Sequence, residues 1–283
     1  MNYQHSLQAY VKSMSANGHN FTHICTTLAI QQGYSLPVAQ RIVEAVLDFD
    51  GNNSELFFLS PDDPRAVPQI DLTSLASIPT TGKPMSVVFE QLSPRIVLLE
   101  NFLSEDECAE LCGQCEGLFQ PSSVVDPVLG GARMVEIRSS DSAHVPNNHS
   151  DLVRRVNARI EKLANWPASS SEPLQVQRYL QGQHYVPHYD FFPDSKNLPN
   201  PEAGQRLATL IVYLRQPDQG GATYFANLGM RVLPKVGSAL FFVYPDAEVG
   251  SGTLHGGEAV GGGEKWIITK WFRERDFNWE AMQ

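Results

Sequence analysis

The sequence Tyr179-Leu-Gln-Gly-Gln-His-Tyr185-Val-Pro-His188-Tyr-Asp190-Phe-Phe192 sets a histidine and an aspartate one residue apart, and Thr253-Leu-His255-Gly-Gly257 supplies another histidine much later. In His188-x-Asp190 the two side chains stand at i and i+2, so on a β-strand both project from one face toward one point. His255 on a second strand completes a three-ligand face. Two imidazoles and one carboxylate, with open positions opposite, are the arrangement expected of a non-haem Fe(II) that also binds a co-substrate and O2. His-x-Asp alone is a frequent pair, so the weight falls on its context.

That context is Lys265, which follows His255 inside Gly263-Glu-Lys265-Trp266-Ile-Ile-Thr-Lys-Trp271-Phe-Arg273. An alternating strand of this kind turns one cation inward beside the metal. An unpaired ammonium in a closed pocket is costly. The far carboxylate of a dicarboxylic 2-oxo acid would pair with it.

Around these residues the chain after Glu172 breaks into short apolar runs between Gly and Pro turns: Leu174–Leu180, Ala208–Leu214, Arg231–Leu233, Ala239–Val243 and Trp266–Phe272. Such runs suit a jelly roll, whose two sheets leave a cavity between them. The segment 250–263 carries seven glycines, but it matches neither a phosphate-binding loop nor a dinucleotide fingerprint and is expected to form turns around the His255 strand. Upstream, Arg95–Leu99 and Met134–Arg138 read as strands. Leu152, Val156, Ile160 and Leu163 recur at helical spacing over Asp151–Leu163. Ser104 with Glu107 three residues on is a capping-box signature that starts another helix. That helix carries Cys108, Cys112 and Cys115 on one face. With no matching second pair nearby and Cys25 remote, the four cysteines are expected to be reduced packing residues.

Residues 1–50 form a separate pattern. Leu7, Tyr10, Val11 and Met14 make one apolar stripe, Ile24, Cys25 and Leu28 a second, and Val38, Ile42, Val43, Val46 and Leu47 a third, which predicts three short helices. In outline they resemble peptide-binding helical modules, and a packing or oligomerisation appendage fits equally. Residues 51–93 shift to Gly, Asn, Ser, Pro and Asp and read as a linker with short extended pieces. Leu56–Leu59 and Met85–Phe89 are too apolar to dangle there. The expected organisation is therefore a helical unit over 1–50, a linker over 51–93 and a catalytic domain over 94–283, mainly β with supporting helices.

From about Pro94 to Arg273 the chain resembles the prolyl 4-hydroxylase branch of the 2-oxoglutarate and Fe(II)-dependent dioxygenases. The resemblance rests on Gln175-Val-Gln-Arg-Tyr179, Gly182-Gln-x-Tyr185-x-x-His188-x-Asp190-x-Phe192, Arg206-x-Ala-Thr209-x-x-x-Tyr213-Leu214, Gly220-Gly-Ala-Thr223 and the segment from His255 to Arg273. Ordered motifs together are far more specific than any one of them. The resemblance implies a double-stranded β-helix (jelly roll) with Fe(II) on His188, Asp190 and His255, 2-oxoglutarate and O2 as co-substrates, and ascorbate as a supporting reductant. It implies that Lys265 binds the C5 carboxylate of 2-oxoglutarate with help from the hydroxyls of Tyr179 and Thr223. Arg206 and Trp271 match positions that face the substrate, and Arg138 and Arg273 join them as candidates. Two departures bear on the substrate: Glu258-Ala259 stands where family members usually carry proline, and Arg273 stands where many carry histidine.

A chain of 283 residues is long enough for one large domain with an appendage. Its net charge of 21 − 31 = −10, without a dominant basic tract, argues against general binding to nucleic acid. The N-terminus lacks the basic start and apolar core of a signal peptide, and no apolar run is long enough to span a bilayer. A cytoplasmic location, with no membrane partner, is the expectation. Three functions compete: hydroxylation of a prolyl residue in a peptide or protein, hydroxylation of a free amino acid or peptide natural product, and an adaptor that senses iron, oxygen or 2-oxoglutarate while its N-terminal helices hold a partner. Oligomeric state is not legible.

Overall fold

A computed structural model describes residues 3–19, 23–25, 27, 28, 39, 43 and 46, and residues 67–92, 94–121, 124, 125, 132, 133, 139–193, 198–244, 247 and 249–279. The chain divides into two compact units, Met1–Ala66 and Val67–Gln283.

In the first unit α1 spans Tyr3–Ala16. Its Val11 joins Ile24, Cys25, Leu28, Ala39, Val43 and Val46 in one buried cluster, with Tyr10 and Met14 against it. The three apolar stripes thus meet in a single small core. The side chains of Leu7, Val38, Ile42 and Leu47 lie outside the described residues.

The second unit contains strands β1 (Ser86–Leu92), β2 (Arg95–Glu100), β3 (Asp141–Val145), β4 (Leu174–Tyr179), β5 (Tyr185–His188), β6 (Arg206–Arg215), β7 (Thr223–Phe225), β8 (Met230–Val232), β9 (Ala239–Val243), β10 (His255–Gly257) and β11 (Lys265–Arg273). The major sheet runs β1-β2-β9-β6-β11-β4-β3, with Gln120–Pro121 at the far edge. The minor sheet runs β8-β7-β10-β5. Pairing is antiparallel throughout, as the jelly-roll expectation requires. Strands β6 and β11 are covered on both faces, so they read as nearly continuous apolar runs without a polar side.

Two helices support the sheet. Helix α2 (Glu105–Cys115) opens on the expected capping box: Ser104 accepts from the Glu107 amide, and the Glu107 carboxylate accepts from the Ser104 amide. It buries Cys108, Leu111, Cys112 and Cys115, all thiols free. Burial pushes the Cys108 thiol up to about 12 and Cys115 up to about 11, so both stay protonated and inert. Helix α3 (Asp151–Ala164) is capped by the Ser150 hydroxyl and ends on Asn165 in the left-handed conformation. Arg159 of α3 and Glu107 of α2 form a buried two-pronged ion pair, with nitrogen to oxygen distances of 2.9 Å on both prongs.

The boundary between the units corrects the expected linker over 51–93. Residues 67–93 belong to the catalytic unit, because Ile70, Leu75, Ile78 and Met85 are buried and β1 pairs along its length with β2. The Met134–Arg138 strand and Leu56–Leu59 lie outside the described residues. No helix among the described residues is long and apolar enough to cross a membrane.

Candidate active site

Strands β5 and β10 pair with His188 opposite His255, which sets the two imidazoles side by side at 4.4 Å between ring centres. Strand β5 ends at His188, and Asp190 lies in the bend beyond it. The bend still carries its carboxylate to the histidines: Oδ1 is 3.5 Å from His188 Nε2 and Oδ2 is 3.6 Å from His255 Nε2. One ligand atom from each of the three falls within 4.8 Å of the others. The Nδ1 of His188 lies 3.0 Å from the Val186 carbonyl, and that of His255 lies 3.0 Å from the Thr253 carbonyl. Each Nδ1–H donates to its carbonyl, which leaves the Nε2 lone pair for the cluster. Burial and neighbouring His188 push His255 down to about 4, keeping the imidazole neutral as a ligand must be. Burial by itself would raise the Asp190 carboxyl, but His255, His188 and Arg206 hold it well below the usual range. A Cβ at Gly256 would come within 2.8 Å of the Tyr185 carbonyl and the Tyr224 hydroxyl, so the residue beside the distal histidine has to be glycine.

Lys265 starts β11 opposite Tyr179 of β4 and is 3% exposed. Its ammonium sits 5.5 Å from the Tyr179 ring centre and 5.7 Å from that of Tyr213. Among the described residues no ion pair or hydrogen bond engages it. Burial pushes it down to about 8, with Glu258 pulling the other way. The cavity between the sheets is lined by the triad, Lys265, Tyr179, Thr223 and Trp271. The expected metal, 2-oxoglutarate and Trp271 positions are therefore one place. The Thr223 hydroxyl accepts from Tyr213 at 2.8 Å and retains its own hydrogen to donate. The Tyr179 hydroxyl donates to Gln177 at 2.9 Å.

The arginines are placed otherwise than expected. Arg206 makes two hydrogen bonds to Glu172, at 2.6 and 2.8 Å, and a third to the Asp190 carbonyl at 3.2 Å. Its guanidinium lies 3.8 Å from the Trp271 ring centre, backing the tryptophan without itself lining the cavity. Arg273 is buried, bonded to Glu172 at 2.9 Å and to the carbonyls of Asn200 and Gly204. A register shift between Phe272 and Arg273 takes it out of the inward phase of Lys265, Ile267, Thr269 and Trp271. Arg273 is thus not at the mouth. Arg138 lies outside the described residues. Glu258, the departure near the distal histidine, is held at the surface by Arg231, at 2.5 and 2.6 Å.

Sequence reasoning missed the polar residues that support these groups. Gln177 donates to Gln175 at 2.8 Å and to Thr269 at 3.1 Å. Together with Tyr179 they form a polar ladder on the cavity wall. Thr209 donates to Asp190 Oδ2 at 2.7 Å and lies 2.7 Å from the Tyr244 hydroxyl. Gln175 and Gln177 stood inside the quoted Gln175-Val-Gln-Arg-Tyr179 motif, and their alternation was the available signal.

The profile of the 2OG-Fe(II) oxygenase superfamily matches residues 174–273. Prolyl 4-hydroxylase 5 of Arabidopsis thaliana is 37% identical over 205 residues, 65% of this chain and 70% of that protein. Prolyl 4-hydroxylase 1 of the same plant is 35% identical over 201 residues, with the same shares covered. The 2-oxoglutarate complex of the viral collagen prolyl hydroxylase of Paramecium Bursaria Chlorella virus-1 superposes with a TM-score of 0.50 at 29% identity, covering 63% of this chain and 95% of that one. Fold, triad and relatives together define a 2-oxoglutarate- and Fe(II)-dependent dioxygenase. Within that class, the chain belongs to the prolyl 4-hydroxylase family.

The residues present fit Fe(II) and 2-oxoglutarate. Two imidazoles and an ionised carboxylate converge with one side open to the cavity, and a buried ammonium stands within the same cavity.

Proposed function

We propose that the protein hydroxylates prolyl residues in a peptide or protein, converting 2-oxoglutarate and O2 to succinate and CO2 as one oxygen atom enters the substrate C–H bond. The observation that supports this reading is Trp271 beside the triad. It lines the cavity, stacks on Arg206, and keeps a buried indole N–H that has no partner among the described residues. A pyrrolidine ring packs well on such an aromatic face.

His188, Asp190 and His255 would hold Fe(II), oriented by the Val186 and Thr253 carbonyls. Bound iron supplies O2 activation and couples decarboxylation of 2-oxoglutarate to hydroxylation. Lys265 would pair with the C5 carboxylate, and the Thr223 hydroxyl would donate to it. No general base is required. The polar ladder and the aromatic walls exclude water and orient the two substrates.

Hydroxylation of a free amino acid is disfavoured by the same geometry. Arg206 and Arg273 are turned to Glu172 and neither lines the cavity in which an α-carboxylate would have to be held. The intact triad and buried Lys265 favour turnover over a degenerate site that only senses its ligands. Mass spectrometry of proline-containing peptides and free amino acids after reaction tests the proposal: a peptide gaining one oxygen per succinate formed supports it, and a product from the free amino acid alone overturns it.

A further inference from the structure

Both oxygens of Asp190 face a triad nitrogen, Oδ1 3.5 Å from His188 Nε2 and Oδ2 3.6 Å from His255 Nε2. Oδ2 also accepts the Thr209 hydroxyl at 2.7 Å. A threonine hydroxyl has one hydrogen to give. Because Thr209 gives it to Asp190, the 2.7 Å contact with Tyr244 has the phenol as donor. The result is a one-way chain from Tyr244 O–H to Thr209 O–H to Asp190 Oδ2. Both residues are 0% exposed, so water does not compete for these bonds. Thr209 lies mid-sheet, opposite Trp271 on one side and Phe242 on the other, and the Tyr244 amide is tied to the Leu207 carbonyl at 2.9 Å. The bend that carries Asp190 is thereby anchored to the major sheet.

We propose that Tyr244 and Thr209 are positioning residues that hold the Asp190 carboxylate, through Oδ2, where it meets His188 and His255. This rests on the assignment of His188, Asp190 and His255 as the metal ligands. Partners bonded to a ligating group fix its orientation and tune its affinity for the ion. The hydroxyl chain therefore acts on metal affinity through the orientation of Asp190.

The test compares wild type with Thr209→Val, which removes the hydroxyl and keeps the branched shape, with Thr209→Ser, which restores the hydroxyl, and with Tyr244→Phe, which removes the upstream donor. Fe(II) is titrated without O2, and Co(II) with 2-oxoglutarate serves as a spectroscopic probe of coordination number. Thr209→Val is expected to weaken Fe(II) by about ten- to a hundredfold and to change the Co(II) absorption. Thr209→Ser returns both toward wild type, and Tyr244→Phe moves them in the Thr209→Val direction by less. If Thr209→Val does not fold, Tyr244→Phe decides. Wild-type Fe(II) affinity and wild-type Co(II) spectra in Thr209→Val and Tyr244→Phe overturn the inference while leaving the ligand assignment standing. A wild-type protein that binds neither ion overturns both.

Discussion

At the scale of single residues, the site works by matching each charge to the group it meets. The Nε2 atoms of His188 and His255 face Asp190 because each Nδ1 is tied to a carbonyl two residues upstream. Replacing either histidine by alanine should abolish Fe(II) binding by anaerobic calorimetry together with succinate formation. Retention of both in the two variants would refute the triad. Among the described residues Lys265 has no counter-ion in contact, so a 2-oxoglutarate carboxylate gains a full charge partner there. Lys265→Ala should weaken 2-oxoglutarate by about ten- to a hundredfold, from the roughly 1.5–3 kcal/mol of a charged hydrogen bond. An unchanged Kd under anaerobic titration would show that the acid sits elsewhere. The same burial makes the lysine titrate near neutrality. Its folded-state value of about 8 lies below the ordinary 10.5, so the ammonium is present below pH 8 and is lost as pH rises through it. Affinity for 2-oxoglutarate should fall as pH climbs past about 8. Glu258, which favours the charged form, and His255, held neutral, are the ionisable groups nearest in effect. A flat affinity from pH 7 to 9.5 would show that the charged lysine is not what binds the acid.

At the scale of elements, β11 does most of the arranging. Its inward residues Lys265, Ile267, Thr269 and Trp271 line the cavity, and the shift before Arg273 turns the next cation into the ion cluster with Glu172 and Arg206. That cluster ties the segment before β4 to the first residue of β6 and the last of β11. Glu172→Ala leaves two buried guanidiniums without their carboxylate, and breaking a buried pair on one side costs about 3–5 kcal/mol. A urea midpoint unchanged from wild type would contradict this. The cluster also marks where sequence reading stops. His188, His255 and Lys265 were legible because strand alternation suffices to place them, Asp190 because its spacing from His188 brings it to the same point although it falls in the bend beyond the strand, and the capping box and cysteine face because helical spacing does. Arg206 and Arg273 read as substrate-facing cations because Glu172, distant in sequence, cannot be matched to them by periodicity. Thr209 and Tyr244 were silent for a related reason: in β6, covered on both faces, the outward and inward phases look alike, and Tyr244 lies just past the end of β9.

At the scale of the whole molecule, the Pro- and Ser-rich composition of 67–84 concealed a structural segment. Ile70, Leu75 and Ile78 are buried in the second unit. The Pro79 carbonyl accepts from Arg159 at 2.9 Å, the Ser77 carbonyl from Lys162 at 2.7 Å, and the Ala164 carbonyl from the Gln69 amide at 2.8 Å. Three buried aliphatic side chains are worth about 1.5–3 kcal/mol each, or roughly 5–9 kcal/mol together. That is comparable with the whole stability of a typical domain, about 5–15 kcal/mol. A chain beginning at Met85 should therefore unfold or aggregate. One beginning at Val67 should fold, bind Fe(II) and decarboxylate 2-oxoglutarate, because the first unit has its own buried cluster. Thermal melts and succinate release on the two truncations check this directly, and equal stability of the two would remove 67–84 from the core. The Val67 form also separates the two readings of the N-terminal helices. If they present a protein substrate, its kcat/KM on a large substrate should fall while that on a short proline peptide stays near wild type. Equal losses on both would mean that the helices act on the stability of the catalytic unit and not on substrate choice.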